Sequence, residues 1–126
     1  MMLILDTNVL IDLDNQNPKT LQKIRELRIR YPLPLRITFT SYFEFYHGLK
    51  DKTPSKLPRS VAFLEVFQTL LPTKRTAHLL SRLKHRYVNV AQSDLFIAAQ
   101  TLEQDGVLIT TDQDFRQIKE LNTYFL

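Results

Sequence analysis

The chain has 126 residues, 44% of them hydrophobic and 24% charged, a balance ordinary for a folded domain and unlike that of disordered chains. Seventeen Lys and Arg against thirteen Asp and Glu leave a net charge of +4, which favours polyanionic partners. Cys is absent and Gly occurs only twice, at Gly48 and Gly106, which excludes disulfide scaffolds, thiol nucleophiles, cysteine zinc sites and Gly-rich phosphate loops.

Met2 to Leu5 is a short apolar run ending at Asp6, the pattern of a strand buried on both faces of a parallel sheet. Thr7 or Asn8 can cap the helix that follows, with Val9, Leu10 and Leu13 inward. Asn15 to Pro18 reads as a turn. Lys19 to Arg30 carries Leu21, Ile24 and Leu27 at helical spacing and ends before the Pro32-Leu33-Pro34 break. Leu35 to Thr40 reads as a second strand. A helix capped by Thr40 or Ser41 then runs to about Leu49, with Tyr42, Phe43, Phe45 and Tyr46 along it.

Lys50 to Pro58 is a polar loop, and Arg59 to Gln68 a helix with Val61, Leu64 and Phe67 inward. Thr69 to Pro72 is a short strand. Lys74 to Tyr87 is a basic amphipathic helix with Ala77, Leu80, Leu83 and Tyr87 inward, its basic side more a solvated face than an RNA rail. Gln92 to Gln104 is an apolar helix with Gly106 as its C-cap. Val107 to Thr110 is a third buried strand, followed by a short helix around Asp114 to Leu121 and a last strand at Thr123 to Phe125. This alternation predicts one α/β domain over residues 1–126, with helices flanking a mostly parallel sheet of four to five strands. No run approaches the ~18 apolar residues of a membrane span. The first residues carry neither a basic leader nor a small-residue cleavage site, so a cytoplasmic location is expected.

In open parallel sheets, chemistry collects at the carboxyl ends of strands. Asp6 directly follows the first strand, and Asp112 stands just beyond Val107–Thr110. Asp94 lies in the first turn of an apolar helix, and Glu44 one turn into the aromatic-rich one. Each has a plainer reading: Asp6 as a helix cap, Asp94 as a helix-dipole partner, Asp112 and Asp114 as turn residues. Together they fall where they can converge on one sheet edge. Converging carboxylates repel, so either their pKa values rise or a cation enters. With no Cys and no well-placed His, the donors are all oxygen, which suits Mg²⁺ or Mn²⁺. His47, His78 and His85 are expected in surface or packing roles.

The order of these motifs resembles a known family. Leu5-Asp6-Thr7-Asn8-Val9-Leu10-Ile11 is similar to the opening of PIN-domain ribonucleases, especially the VapC-like toxins of toxin–antitoxin pairs. Thr40-Ser41 with Glu44 and Gly48 resembles the second motif of that family, and Ser93-Asp94-Leu95-Phe96-Ile97-Ala98-Ala99 the third. Leu108-Ile109-Thr110-Thr111-Asp112-Gln113-Asp114-Phe115 resembles the fourth. The resemblance spans nearly the whole chain. It implies a PIN-like three-layer sandwich and a Mg²⁺- or Mn²⁺-dependent endoribonuclease, the toxin of a toxin–antitoxin pair. Asp6, Glu44, Asp94 and Asp112 would be the acidic, metal-holding cluster, with Asn8 and Thr110 bracing it and Asp114 competing with Asp112 for the fourth place. It also implies an RNA substrate, an antitoxin that covers the pocket, and a homodimer. Lys50 to Tyr87 carries no motif, and substrate choice is expected to be set there. The other readings are a standalone RNA-processing nuclease and a PIN-like scaffold that only binds RNA or protein. A phospho-receiver fails for want of the required Asp and Lys at strand ends, and an Asp-x-Asp phosphatase because Asn8 holds the second acidic place.

Overall fold

The computed structural model describes residues 2–126. Five parallel strands form one sheet in the order β3-β2-β1-β4-β5. They are β1 (Leu3–Leu5), β2 (Leu35–Thr38), β3 (Gln68–Leu70), β4 (Val107–Thr110) and β5 (Asn122–Phe125). Six helices accompany them: α1 (Thr7–Asp14), α2 (Pro18–Arg30), α3 (Phe39–Gly48), α4 (Leu57–Glu65), α5 (Lys74–Arg86) and α6 (Gln92–Glu103). No helix among the described residues is long and apolar enough to cross a membrane.

Alternation along the strands builds two cores. Leu3 and Leu5 of β1, Ile37 of β2 and Ile109 of β4 face one layer, where they meet Val9, Leu10, Ile24, Leu27, Phe45 and Leu64 from α1 to α4. Ile4 and Leu108 face the opposite layer and pack with Leu83, Leu95, Ile97, Ala98, Ala99 and Phe115. Successive side chains of a strand point to opposite faces, so each short central strand serves both cores. The result is the three-layer sandwich expected, with the sheet parallel throughout.

Several boundaries depart from the sequence reading, each for a local reason. Asp6 caps α1, as its plainer reading has it, and Thr7 and Asn8 do not: its Oδ1 accepts from the Thr7 amide at 2.8 Å. Thr38, not Thr40 or Ser41, caps α3, with its hydroxyl accepting from the Ser41 amide at 3.1 Å. Phe39 and Thr40 are therefore helical despite their strand preference, because a buried cap at the strand end outweighs it. Pro18 starts α2 behind Asn17, whose Oδ1 accepts from Lys19 and Thr20 amides. Pro58 sits within the first turn of α4, which starts earlier than expected and ends at Glu65, freeing Gln68 for β3. Val61 and Ala77, expected inward, are exposed; Ser60 and Thr76 are buried instead. The segment after Asp112 forms a 3₁₀ turn over Gln113–Gln117 in place of the longer helix.

Gly106 does not supply the left-handed residue at the end of α6. Asp105 does, with φ of 49°. Gly106 is required for space: a Cβ there would come within 2.9 Å of Ile4 Cδ1 and 3.1 Å of the Met2 carbonyl oxygen. That close approach lets α6 turn directly into β4.

Candidate functional site

Strand order reverses about β1: β2 and β3 lie on one side of it, β4 and β5 on the other. The backbone amide of Asp6 donates to the Ile109 carbonyl at 2.9 Å, so the ends of β1 and β4 are locked together at this crevice. Ligand sites in open α/β sheets lie at such reversals.

Asp6 is buried, only 4% exposed, and both its carboxylate oxygens are engaged. Oδ1 caps α1, and Oδ2 accepts from the Thr110 hydroxyl at 2.8 Å. The same Thr110 oxygen accepts from the Asp112 amide at 2.9 Å, fixing the turn that leaves β4. Asp112 Oδ1 in turn accepts from the Asp114 amide at 2.9 Å and caps the 3₁₀ turn. From the α3 side, Glu44 Oε1 accepts from the Thr7 hydroxyl at 2.7 Å, and that hydroxyl lies 2.9 Å from Ser41 Oγ. Short hydroxyl side chains thus tie α3 to the start of α1 and, through the Asp6 carboxylate, the start of α1 to β4.

Asp94 is half-buried in the first turn of α6, behind Ala91, which has no side chain to cap the helix. Asp94, Asp112 and Asp114 each place a carboxylate oxygen within 4.8 Å of the others. The electrostatics show how crowded this is. Burial, then the negative charges of Asp112, Asp6, Asp114 and Glu44, push the Asp94 carboxyl up to about 6. Burial is also the main reason that Asp6 lies above its ordinary value, with Asp112 and Glu44 adding to it and the bonds from Thr110 and Thr7 opposing. Raised carboxylates in a shared site are what like charges produce without a cation. A hard divalent ion would relieve the repulsion, and an all-oxygen carboxylate set is the donor chemistry that such ions prefer. The residues present fit a divalent metal.

The sequence reading set Asp112 against Asp114 as competitors, whereas the fold brings both to Asp94. Asp6 and Glu44 stand in the same electrostatic neighbourhood but outside that tightest trio. Asn8 is exposed in the first turn of α1, and the hydrogen bonds linking the acids run through Thr7, Ser41 and Thr110. The sequence reading gives Thr7 and Ser41 only candidate cap roles, not roles in the site. Their signal was weak, a hydroxyl beside each predicted acidic motif. The histidines stay at the surface: His47 stacks on Phe43 with ring centres 5.7 Å apart, and His85 Nδ1 is 2.8 Å from the Ser81 carbonyl oxygen. On α5, Arg86 pairs with Glu120 at 3.0 Å, leaving that helix largely a solvated basic face.

Comparison with known proteins agrees with this geometry. Nothing among curated proteins matches the sequence. Among solved structures, the chain is similar to one in VapBC2 from Rickettsia felis bound to a promoter DNA fragment, with TM-score 0.83 and 16% identity, covering 99% of this chain and 98% of that one. It is similar to one in VapBC-1 from nontypeable Haemophilus influenzae, with TM-score 0.78 and 26% identity over 99% and 98% of the two chains. A chain of a toxin–antitoxin complex from Klebsiella pneumoniae is alike at TM-score 0.78 and 24% identity, over 98% of each. The model of the PIN domain matches residues 3–121, spanning β1 to β4 and all five acids of the site. The chain belongs to the PIN domain family.

Proposed function

We propose that the protein is a divalent-metal-dependent endoribonuclease of 126 residues, acting from one PIN-type domain as the toxin of a toxin–antitoxin pair. The observation that carries this reading is the carboxylate group at the β1–β4 reversal: Asp94, Asp112 and Asp114 within 4.8 Å, with Asp6 and Glu44 alongside. Asp6, Glu44, Asp94 and Asp112 would hold Mg²⁺ or Mn²⁺, with Asp114 beside them and Asn8 and Thr110 in supporting places. Such an ion, when bound, supplies Lewis-acid polarisation of a phosphodiester and a water acidified for attack. The chain's own part is to hold the carboxylates in place. Thr110 orients Asp6 and the Asp112 turn, and Thr7 orients Glu44. The net charge of +4 then favours approach of a polyanion to a pocket that is itself acidic.

The partner would be an antitoxin, as in the complexes of similar fold. A groove of about 520 Å³ between α3 and α4, lined by Phe43, Tyr46, Leu49, Leu57 and Val61 with His47 and Lys50, offers apolar purchase for it. A basic side chain presented by that partner would compete with metal for the carboxylates. A homodimer in the cytoplasm completes the proposal. The test is incubation of purified protein with a pool of single-stranded and hairpin RNAs, with Mn²⁺ and separately with EDTA. Cleavage that requires Mn²⁺ is expected. An intact pool under both conditions would overturn the nuclease assignment.

A further inference from the structure

A second cleft opens beside the carboxylates, between the first turns of α3 and α6. It encloses about 320 Å³ and is lined by Phe39, Thr40, Phe43, Gln92, Ser93 and Phe96. Phe39 and Phe43 are 42% and 55% exposed, unusual for rings that could have been buried. The Phe43 ring stacks against His47, with ring centres 5.7 Å apart and planes 16° from parallel. The same lining carries two hydroxyls, Thr40 and Ser93, and the amide of Gln92. Rings with hydrogen-bonding groups at their edge are what a nucleobase requires: a flat face to stack on and polar groups to meet its rim.

The surroundings match the rest of a nucleotide. One residue along each helix from the cleft stands a carboxylate of the cluster, Glu44 beside Phe43 and Asp94 beside Ser93. At the rim, Lys84 of α5 donates to Gln92 Oε1 at 2.8 Å, placing a cation by the cleft mouth. The acids would hold metal, the lysine complements a phosphate, and the rings lie between. Resting on the nuclease reading above, we propose that this cleft takes one unpaired base of the RNA strand, stacked on Phe43, next to the phosphate held at the carboxylates. A strand that must lay a base here is single-stranded at that point, since a paired base keeps its faces inside the helix. Substrate choice would then be set partly by Phe43 and Gln92, not only in the segment from Lys50 to Tyr87.

The test uses eight-nucleotide single-stranded RNAs carrying 2-aminopurine at each position in turn, mixed with the protein and Ca²⁺, while cleavage is followed separately with Mn²⁺. Wild type is expected to quench the fluorophore at one or two positions. Phe43→Ala should lose that quench and bind about tenfold more weakly, with its melting temperature unchanged. Phe43→Trp should restore both. Equal quenching by wild type and Phe43→Ala would overturn the base site. So would a wild-type dimer that Phe43→Ala splits, with binding recovered at high protein concentration, because the face would then join two copies of this chain. Quenching that depends on Phe43 without cleavage in Mn²⁺ would uphold the base site and remove the nuclease reading. Cleavage with quenching independent of Phe43 would do the reverse.

Discussion

Asp94→Asn is expected to abolish metal-dependent cleavage and, at pH 7, to raise the melting temperature of the metal-free protein. Loss of groups that merely orient a ligand costs roughly 10–100-fold, so loss of a carboxylate from the cluster itself should exceed about 100-fold. The stability gain follows from burial of the charge and from the four acids around it. In the folded protein Asp94 keeps its proton up to about pH 6, whereas the unfolded chain releases it near the ordinary value of 3.8. Between those values the folded state binds more protons, so stability falls as pH rises through that window. The cost is absent below it and fully present above it. A carboxylate at the start of a helix gains about 0.3–1 kcal/mol from the dipole, but here repulsion and burial prevail, since the pKa is raised. Because Asp94 is partly open to solvent, the gain from Asn is about 1 kcal/mol after screening, a few degrees of melting temperature. Thermal scans at pH 4 and pH 7 with EDTA check it: the variant's advantage should appear at pH 7 and vanish at pH 4. A variant less stable than wild type at pH 7 would mean that the carboxylate is favourably held without metal.

The second large effect lies under the site. Phe115 is 1% exposed and anchors the turn that carries Asp112 and Asp114 into the core beside Leu95, Leu108 and Ile118. Phe115→Ala removes a buried ring from a close-packed layer and should cost about 3–5 kcal/mol. Against a typical total of about 5–15 kcal/mol, that is a large share of the protein's stability. Urea unfolding should show the midpoint falling with little change in slope. The folded fraction should also bind Mn²⁺ more weakly, because packing that helps fix the Asp112–Asp114 turn has been thinned. A loss below about 1 kcal/mol would show that the turn is held by its hydrogen bonds and not by the ring.

Much of this was legible where short-range chemistry decides. Val107–Thr110 reads as a strand to the residue, since a continuous aliphatic run lies between Gly106 and a Thr-Thr-Asp turn. The acids announce themselves by standing where apolar runs stop. What escaped depends on contacts between distant segments. The start of α3 is set by Thr38, buried at the end of β2, and local preference at Phe39 and Thr40 points the other way. Thr76 is buried in place of Ala77; its hydroxyl donates to Glu103 on the neighbouring α6. Ser60 is buried because its hydroxyl donates to Asp14 at 2.8 Å, an acid 46 residues earlier that Lys52 also pairs at 3.3 Å. The link from Thr7 to Glu44 spans 37 residues and exists only once β1 and β2 are neighbours. Asp114 joins Asp94 for the same reason. Spacing along the chain shows which acids stand at strand ends; only the fold shows which of them come within 4.8 Å of one another.

The measurement closest to the central claim is a calorimetric titration of Mn²⁺ into metal-free wild type and Asp94→Asn at pH 7. Saturable binding by wild type, with proton release as the raised carboxyl ionises and with binding lost in the variant, is the expected result. Absence of binding by wild type, or identical binding by both proteins, would contradict a metal site built on these carboxylates.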